Sequence, residues 1–320
     1  MKRLLIISLQ FMDLILFPLT ILSTFWLKLI RRIGINRMII SKSIFNKIGL
    51  LPIHDHYYEP LINPKKHLSK KYEEDRNIHG LNLNVETQIK LLSSFDYENE
   101  LINFSLSKEN EIDFFYNNKS FEMGDSEFLY SIIRKLKPQS IIEIGSGHST
   151  RMVLNAIQKN KDNNKDYNCE LSCIEPYEYK LIEKLPVNIL KKKIEDVEIS
   201  YFNKLQKNDI LFIDSSHIIR PEGDVLYEIQ NILPSLNSGV IIHIHDIFTP
   251  KNYPKYWINN HVLWNEQYLV EAFLMYNTDF EIIGSLNYLK NNNWDLISSK
   301  FPILKKYKDS QPGSLWIRKL

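Results

Sequence analysis

The stretch Ile141-Ile-Glu-Ile-Gly-Ser-Gly-His-Ser-Thr150 decides the fold of this chain. Its first four residues predict a buried parallel strand, and the residues from about Ser149 to Ile157 have the pattern of a helix. Gly145 and Gly147 lie between them, where glycine lets the backbone approach a ligand and the helix N-terminus offers free N–H groups. This arrangement indicates the nucleotide-binding end of a doubly wound α/β domain. Thr150 replaces the third glycine of the dinucleotide fingerprint, which weakens a nicotinamide interpretation.

Further strands and helices alternate after this segment. Such alternation predicts a Rossmann-like, mostly parallel, seven-stranded sheet. The remaining strands are predicted at Glu170–Ile174, Ile189–Ile194, Asp209–Ile213, Gly239–Ile244, Phe280–Tyr288 and Ser314–Arg318. Helices are predicted at Val85–Leu92, Tyr97–Phe104, Asp125–Arg134, Tyr179–Leu185, Asp224–Leu236 and Trp264–Tyr276.

Polar residues follow the predicted strands at the edge where such sheets bind ligands. Glu175 ends the second strand, where a carboxylate can accept both hydroxyls of a ribose. Glu195 and Asp196 follow the third strand, in a position suited to an adenine amino group. We therefore expect a nucleotide-like site built from Glu143, Gly145, Ser146, Gly147, Ser149, Thr150, Glu175, Asp196 and Asp214.

Composition limits the other classes of function. The net charge of +2 indicates no strong field for nucleic acid, and 44% hydrophobic and 24% charged residues are ordinary for a globular protein. Cys169 and Cys173 would lie roughly 13 Å apart on one strand, while a disulfide needs less than about 7 Å between its Cα atoms. Two reduced thiols fit a cytoplasmic catalytic domain.

The first 40 residues predict a hydrophobic helix that associates with a membrane. Leu4 to Ile30 is long enough to cross a bilayer and is flanked by basic residues, but it contains Gln10, Asp13 and Pro18. Three interpretations stay open: a single span with the body inside, a re-entrant or interfacial helix bent at Pro18, and a soluble helical extension. Residues 41–118 form a predicted extension or lid, and residues 119–320 the catalytic domain.

The polar–aromatic loop Pro52–Pro60 contains two histidines and two acids. A metal site is one interpretation, and a structured lid or packing loop is the other.

The residues also resemble a known family. Glu143-Ile-Gly-Ser-Gly147 is similar to the first motif of class I S-adenosylmethionine-dependent methyltransferases, and Ile174-Glu175 to their second. The resemblance is closer to a bacterial subgroup near the macrocin-O-methyltransferase and cephalosporin-hydroxylase-like families, of the methyltransferase family 24 type. The matching stretches are His56–Pro60, Ile141–Thr150, Cys173–Tyr177, Asn208–His217, His243–Pro250, Trp264–Tyr268 and Gly313–Arg318.

The resemblance implies S-adenosylmethionine as cofactor, with methyl transfer to an oxygen of a glycan or lipid-linked envelope intermediate. It implies His217 as the catalytic base, three residues after Asp214. It also implies Mg²⁺ or another divalent metal on Asp214 and Asp246. His245 stands where macrocin-type enzymes have an acid, which weakens Mg²⁺ binding or favours a softer ion.

Arg220 and the aromatic residues after the fourth and fifth strands would either line an acceptor pocket or serve packing: Tyr253, Tyr256, Trp257, Trp264 and Tyr268.

Two other functions stay open. His243, His245 and Asp246 would suit a metal-dependent oxygenase if they formed a two-histidine–one-carboxylate centre, although a buried hydrogen-bonded histidine pair is the simpler expectation. A non-catalytic scaffold of methyltransferase shape is the other. A homo-oligomer is compatible with either enzyme.

Overall fold

A computed structural model describes residues 2–60, 62–177 and 181–320. The chain divides into two compact units, Met1–Ser69 and Lys70–Leu320. Each unit is described by itself.

The first unit is built on one long apolar helix, Lys2–Ile33, which runs continuously through Pro18 and has Arg31 and Arg32 in its last turn. A short 3₁₀ segment, Ile35–Arg37, precedes a second helix, Ile39–Ile48, and a further turn of helix covers Pro64–His67. Among the described residues, Leu4–Ile33 is one helix that is long and apolar enough to cross a membrane. In the loop Pro52–Pro60, Asp55 pairs with Lys66 and His67.

The second unit contains the predicted sheet. Its strands in the described residues are β1 Ser140–Ile144, β2 Glu170–Ile174, β3 Asn188–Leu190, β4 Ile210–Ile213, β5 Ile241–Ile244, β6 Phe280–Ser285 and β7 Leu315–Lys319. Their spatial order is β3-β2-β1-β4-β5-β7-β6. The pairs from β3 to β5 are parallel, and β7 runs antiparallel to both β5 and β6. The strand order reverses between β1 and β4, so their carboxyl ends flank the crevice in which such sheets bind ligands.

Helices cover both faces of this sheet. The longer ones are Val85–Ser93, Asp125–Leu136, His148–Asn163, Glu266–Leu274, Leu286–Asn292 and Trp294–Lys300. Glu98–Leu101, Lys255–Asn259 and Pro302–Lys306 are short, and Asp224–Tyr227, the π segment Glu228–Ile232 and Leu233–Ser235 follow one another directly. The 3₁₀ segments are Ile182–Lys184, Ile194–Asp196 and Ile199–Lys204.

Side chains alternate between the two faces along each central strand. Ile141 and Phe212 enter one buried cluster with Phe128 and Met152. Ile142, Leu211 and Ile242 enter the other, with Ile229 and Val270 from the helices of the opposite face. β1, β4 and β5 are buried along their whole length, which explains their largely hydrophobic sequences, whereas β3 lies at the edge of the sheet and is partly exposed.

The predicted sheet is confirmed, and Cys169 and Cys173 are free thiols. The strand predicted over Phe280–Tyr288 is wrong beyond Ser285, because Leu286 starts a helix whose Leu286 and Leu289 are buried in the core. The third strand ends at Leu190, and Ile194 begins a 3₁₀ turn instead. The helix predicted over Tyr179–Leu185 begins outside the described residues; only the 3₁₀ turn Ile182–Lys184 is seen.

Candidate functional site

The turn after β1 is shaped by Gly145. Its φ of +79° lies in the left-handed region, and a Cβ there would collide with the backbone carbonyl of Asp214. Only glycine therefore lets the β1 turn approach the end of β4 so closely. The turn then leads into the helix His148–Asn163, where Thr150 Oγ1 accepts a hydrogen bond from the Gly147 N–H at 3.0 Å.

A cavity of about 390 Å³ opens at the carboxyl ends of β1, β2 and β4. We call it the switch-point cavity, because the strand order reverses there. Its lining includes Gly145, Glu175 and Asp214 from the predicted site, and Tyr177, Lys193, Glu195, Ser215, Ser216, Arg220 and Asp224 from the following loops. Its volume falls in the range of small-molecule sites. The geometry therefore provides a ligand crevice at the predicted edge of the sheet.

Glu175 is oriented at the wall of this cavity by two donors. Ser146 Oγ donates to Glu175 Oε2 at 3.3 Å, and the Tyr177 N–H donates to Oε1 at 3.2 Å. The carboxylate stays partly exposed toward the cavity. An oriented carboxylate that ends β2 has the chemistry needed to accept two neighbouring hydroxyl groups.

Glu143, Ser149 and Thr150 are buried behind the turn and do not line the cavity. Ser149 Oγ donates to Glu143 Oε1 at 2.5 Å, and Cys173 Sγ donates to Oε2 at 3.5 Å. Burial raises the pKa of Glu143 to about 7. These residues hold the turn in place. Asp196 is exposed and does not line the cavity, whereas its neighbour Glu195 does.

Two carboxylates and two imidazoles meet beside this cavity. This Asp–His cluster comprises Asp214, His217, His245 and Asp246. His217 Nε2 lies 3.2 Å from Asp214 Oδ1 and 3.8 Å from Asp246 Oδ2. His245 Nδ1 lies 3.7 Å from Asp214 Oδ1 and 3.4 Å from Asp246 Oδ2. The structure thus brings together the predicted base and the predicted metal-binding residues.

Glu266, on the helix Glu266–Leu274, supports His217 from its other side. His217 Nδ1 lies 2.8 Å from Glu266 Oε2, and both side chains are almost fully buried. The His217 backbone adopts a φ of +60°, and its carbonyl accepts hydrogen bonds from the Asn265 and Glu266 N–H groups. Glu266 therefore fixes the ring orientation and leaves Nε2 directed at Asp214.

Protons balance the charges in the Asp–His cluster. Burial alone would lower the pKa of His217, but the hydrogen bonds to Asp214 and Glu266 outweigh burial and raise it to about 11. Burial would also lower the pKa of His245, but the nearby Asp246 and Asp214 carboxylates outweigh burial and raise it to about 10. Burial would raise the pKa of Asp214, but His245 and His217 lower it. Without a bound ligand, both imidazoles are cations facing two carboxylates.

His243 is set apart from this cluster. Its ring stacks on Phe212 with centroids 3.9 Å apart, and Nε2 shares a hydrogen bond of 2.9 Å with Ser314 Oγ. Burial lowers the pKa of His243 well below its ordinary value, so the ring is neutral. Within residues 2–60, 62–177 and 181–320, no group of three or more His, Cys, Asp or Glu side chains has the arrangement of a metal centre. This geometry gives the oxygenase interpretation no support.

Sequence reasoning named Glu195 and Asp196 together, without deciding between them, and missed Glu266 as a site residue. Glu195 stands next to the predicted Asp196, and the 3₁₀ turn Ile194–Asp196 decides which of the two faces the cavity. Glu266 lies far from His217 in sequence, within the Trp264–Tyr268 stretch, where the resemblance marked a match without giving a role.

Comparisons with known proteins give a family match over part of the chain. Residues 142–247, about a third of the 320-residue chain, match the family model of the methyltransferase family 24 type, described as "Methyltransferase domain". This stretch is therefore similar to methyltransferase domains. It includes the β1 turn, Glu175 and all four residues of the Asp–His cluster.

Other relatives are distant. An uncharacterized protein of Archaeoglobus fulgidus is 26% identical over 185 residues, which cover 53% of this chain and 80% of the relative. The O-methyltransferase TomG from Streptomyces achromogenes, solved with S-adenosylmethionine, is 12% identical with a TM-score of 0.36, covering 61% of this chain and 78% of its own. An O-methyltransferase from Bacillus cereus, solved with S-adenosylhomocysteine, is 13% identical with a TM-score of 0.35, covering 73% and 91%.

Proposed function

We propose that this methyltransferase domain transfers a methyl group from S-adenosylmethionine to a hydroxyl oxygen of a glycan or lipid-linked envelope intermediate at a membrane surface. The observation that carries the proposal is the switch-point cavity, in which the Gly145 turn and the Glu175 carboxylate face one another. Residues 119–320 are the proposed catalytic domain, and residues 41–118 its extension.

The proposed donor pose follows from the cavity walls. The adenosyl group lies beside Gly145, where a side chain would obstruct the turn. Glu175 accepts the two ribose hydroxyls, and Glu195 or its neighbour Asp196 accepts the adenine amino group. Ser146 and Gly147 contribute backbone at the start of the helix His148–Asn163, where free N–H groups suit the donor's carboxylate. Asp214 then lies near the cationic sulfonium.

His217 is the proposed base. The acceptor oxygen attacks the methyl carbon in line, the C–S bond breaks, S-adenosylhomocysteine leaves, and the hydroxyl proton passes to His217 Nε2. This step requires a neutral imidazole, whereas the ligand-free protein holds it protonated. A sulfonium cation beside Asp214 opposes the positive charge on His217 and lowers its pKa. We therefore infer that donor binding lowers the pKa of His217 and so favours its neutral, proton-accepting form.

A divalent metal at Asp214 and Asp246 fits the observed residues poorly. Mg²⁺ prefers oxygen ligands, but His217 Nε2 and His245 Nδ1 lie within 3.8 Å of the two carboxylates and take the place of such ligands. A softer ion would have to displace a proton from each ring. No step of the proposed mechanism therefore uses a metal.

Membrane association is proposed for the first unit. The helix Lys2–Ile33 contains 32 residues and ends in Arg31 and Arg32, which suits one bilayer crossing with the catalytic domain on the cytoplasmic side. The next helix, Ile39–Ile48, exposes Ile40, Ile44 and Ile48 at helical spacing, and Lys42 and Lys47 lie between them. Such a helix suits the interface of an anionic membrane.

Isothermal calorimetry with S-adenosylmethionine tests the proposal. The wild-type chain should bind the donor with micromolar affinity, and Gly145→Arg, checked for folding by circular dichroism, should abolish binding. If the wild type binds no donor, the chain is a non-catalytic scaffold and the proposal is wrong. Mass spectrometry of envelope glycans from a deletion strain should then show a species lighter by 14 Da, the mass of one methylene group.

A further inference from the structure

A second cavity, of about 530 Å³, lies next to the loop that follows β5. We call it the amide-lined cavity, because side-chain amides dominate its polar wall. These amides are Asn252, Asn259, Asn287, Asn291 and Gln311. They come from three separate segments of the chain, so the fold brings them together. None of them is part of the switch-point cavity.

Two of these amides are held rigidly. Asn252 Nδ2 donates to the Tyr72 carbonyl at 3.1 Å, and Asn252 Oδ1 accepts from the Tyr268 hydroxyl at 3.3 Å. Asn287 is buried, and its Nδ2 donates to the Pro312 carbonyl at 3.2 Å. Asn259, Asn291 and Gln311 are exposed at the cavity wall. Asn291 Nδ2 also donates to the Asn287 carbonyl at 2.8 Å and to Asn287 Oδ1 at 3.0 Å, so the side-chain carbonyl oxygen of Asn291 is the group offered to a ligand. The cavity thus combines a fixed polar floor with amides accessible to a ligand.

Aromatic rings complete the wall. Tyr256 is 61% exposed at the rim, whereas Phe248 and Tyr253 are buried. Of the lysines at the cavity, Lys251 is neutralised by Asp75, with Nζ and Oδ1 3.0 Å apart. Lys255 and Glu73 also line the cavity and carry opposite formal charges. With the Lys251–Asp75 pair, the lining therefore combines amides and aromatic faces with no formal net charge.

We propose that the amide-lined cavity binds an uncharged sugar ring of the methyl acceptor. A sugar hydroxyl both donates and accepts hydrogen bonds, as does a side-chain amide, so the two match without burying a charge. The C–H face of a sugar is apolar and packs on an aromatic ring such as that of Tyr256. This inference rests on the proposed function and adds the location and class of the acceptor group.

A chain of aromatic rings joins this cavity to the proposed base. Phe248, in the cavity wall, lies 5.3 Å from Trp257 between ring centroids. Trp257 lies 4.8 Å from Trp264, and Trp264 lies 4.2 Å from His217. We infer that an acceptor anchored by one sugar in the amide-lined cavity reaches His217 with a hydroxyl farther along its chain, because three successive ring contacts separate the cavity wall from His217.

Saturation-transfer NMR tests the subsite on the full chain in detergent micelles with S-adenosylhomocysteine present. The probes are methyl glycosides of glucose, mannose, rhamnose and N-acetylglucosamine. We expect at least one probe to bind the wild type. Asn291→Leu and Tyr256→Ala should each weaken the binding of that probe roughly 5- to 10-fold, because each variant loses one hydrogen bond or ring contact to it. Asn292→Leu, one residue along and outside the lining, is the matched control and should bind as the wild type does.

Calorimetry on the same samples separates the two proposals. Donor binding without binding of any probe, or probe binding unchanged in both cavity variants, overturns the sugar subsite and leaves the methyltransferase proposal standing. Probe binding in a wild type that binds no donor contradicts the proposed function and retains the sugar site. Tyr256 is exposed and lies in the short helix Lys255–Asn259, so Tyr256→Ala should stay folded even if Asn291→Leu does not.

Discussion

The replacement Glu266→Gln should lower the pKa of His217 without changing the shape of the site. His217 Nδ1 and Glu266 Oε2 are 2.8 Å apart, a hydrogen bond between two ionised, buried groups. Such a bond contributes about 1.5–3 kcal/mol, and 1.36 kcal/mol corresponds to one pH unit. The pKa of His217, about 11 in the ligand-free chain, should therefore fall by about one to two pH units. Asp214 would remain as the second partner.

Long-range ¹H–¹⁵N NMR of the imidazole nitrogens measures this change between pH 6 and pH 11, with His217 assigned from the spectrum of His217→Gln. Glu271→Gln is the control, because Glu271 is a buried acid on the same helix that bonds Arg76 and Thr249 instead. If the His217 imidazole titrates near pH 6.5 in the wild type, the raised pKa is refuted. If it titrates at the same pH in Glu266→Gln and Glu271→Gln, the role of Glu266 in raising that pKa is refuted. The pKa should also be lower with S-adenosylmethionine bound than with S-adenosylhomocysteine, which lacks the sulfonium charge.

The remaining predictions concern the donor, the metal, pH and the membrane. Glu175→Gln should weaken S-adenosylmethionine binding about 10-fold or more in calorimetry, whereas Glu170→Gln at the other end of β2 should not; equal effects would remove the ribose assignment. Methyl transfer in envelope extracts should continue in the presence of EDTA. A loss of activity that added Mg²⁺ reverses would show that the reaction needs a metal. The melting temperature should fall from pH 5 to pH 8, because burial raises the pKa values of Glu143 and Glu127 to about 7 and their folded-state protons are lost over that range; Glu143→Gln should make this fall smaller, and the contribution of Glu127 should remain. Deleting residues 1–50, which removes both the long apolar helix and the helix Ile39–Ile48, should move the chain from the membrane to the soluble fraction, and a truncated chain that still pelleted would contradict the anchor.

The positions of the strands along the chain could be predicted from the sequence because they depend on local hydrophobic pattern, whereas their spatial order depends on tertiary contacts. β1, β2, β4 and β5 are continuous apolar runs, and glycine and polar residues mark where the first ends. The same pattern could not place the end of β6, since Leu286 continues an apolar run that the structure uses for a buried helix. Over such short segments, the hydrophobic pattern of a buried helix cannot be told from that of a buried strand.

The contents of the site were less accessible to sequence reasoning. Gly145, Glu175 and Asp214 were predictable because strand ends converge at one edge of a parallel sheet. Glu143 ends up behind the turn, because a residue within the strand points to a face of the sheet while the cavity lies beyond its end. The pairing of Glu266 with His217 and the meeting of His217 with His245 depend on loop conformations, including the positive φ of His217, that no sequence spacing specifies.

A crystal structure of the chain with S-adenosylhomocysteine tests the central claim most directly. The account predicts the adenosyl group beside Gly145, with the ribose hydroxyls bound by Glu175 and the sulfur directed toward Asp214 and His217. An adenosyl group bound elsewhere, or bound in the switch-point cavity without contact to Glu175, would contradict it.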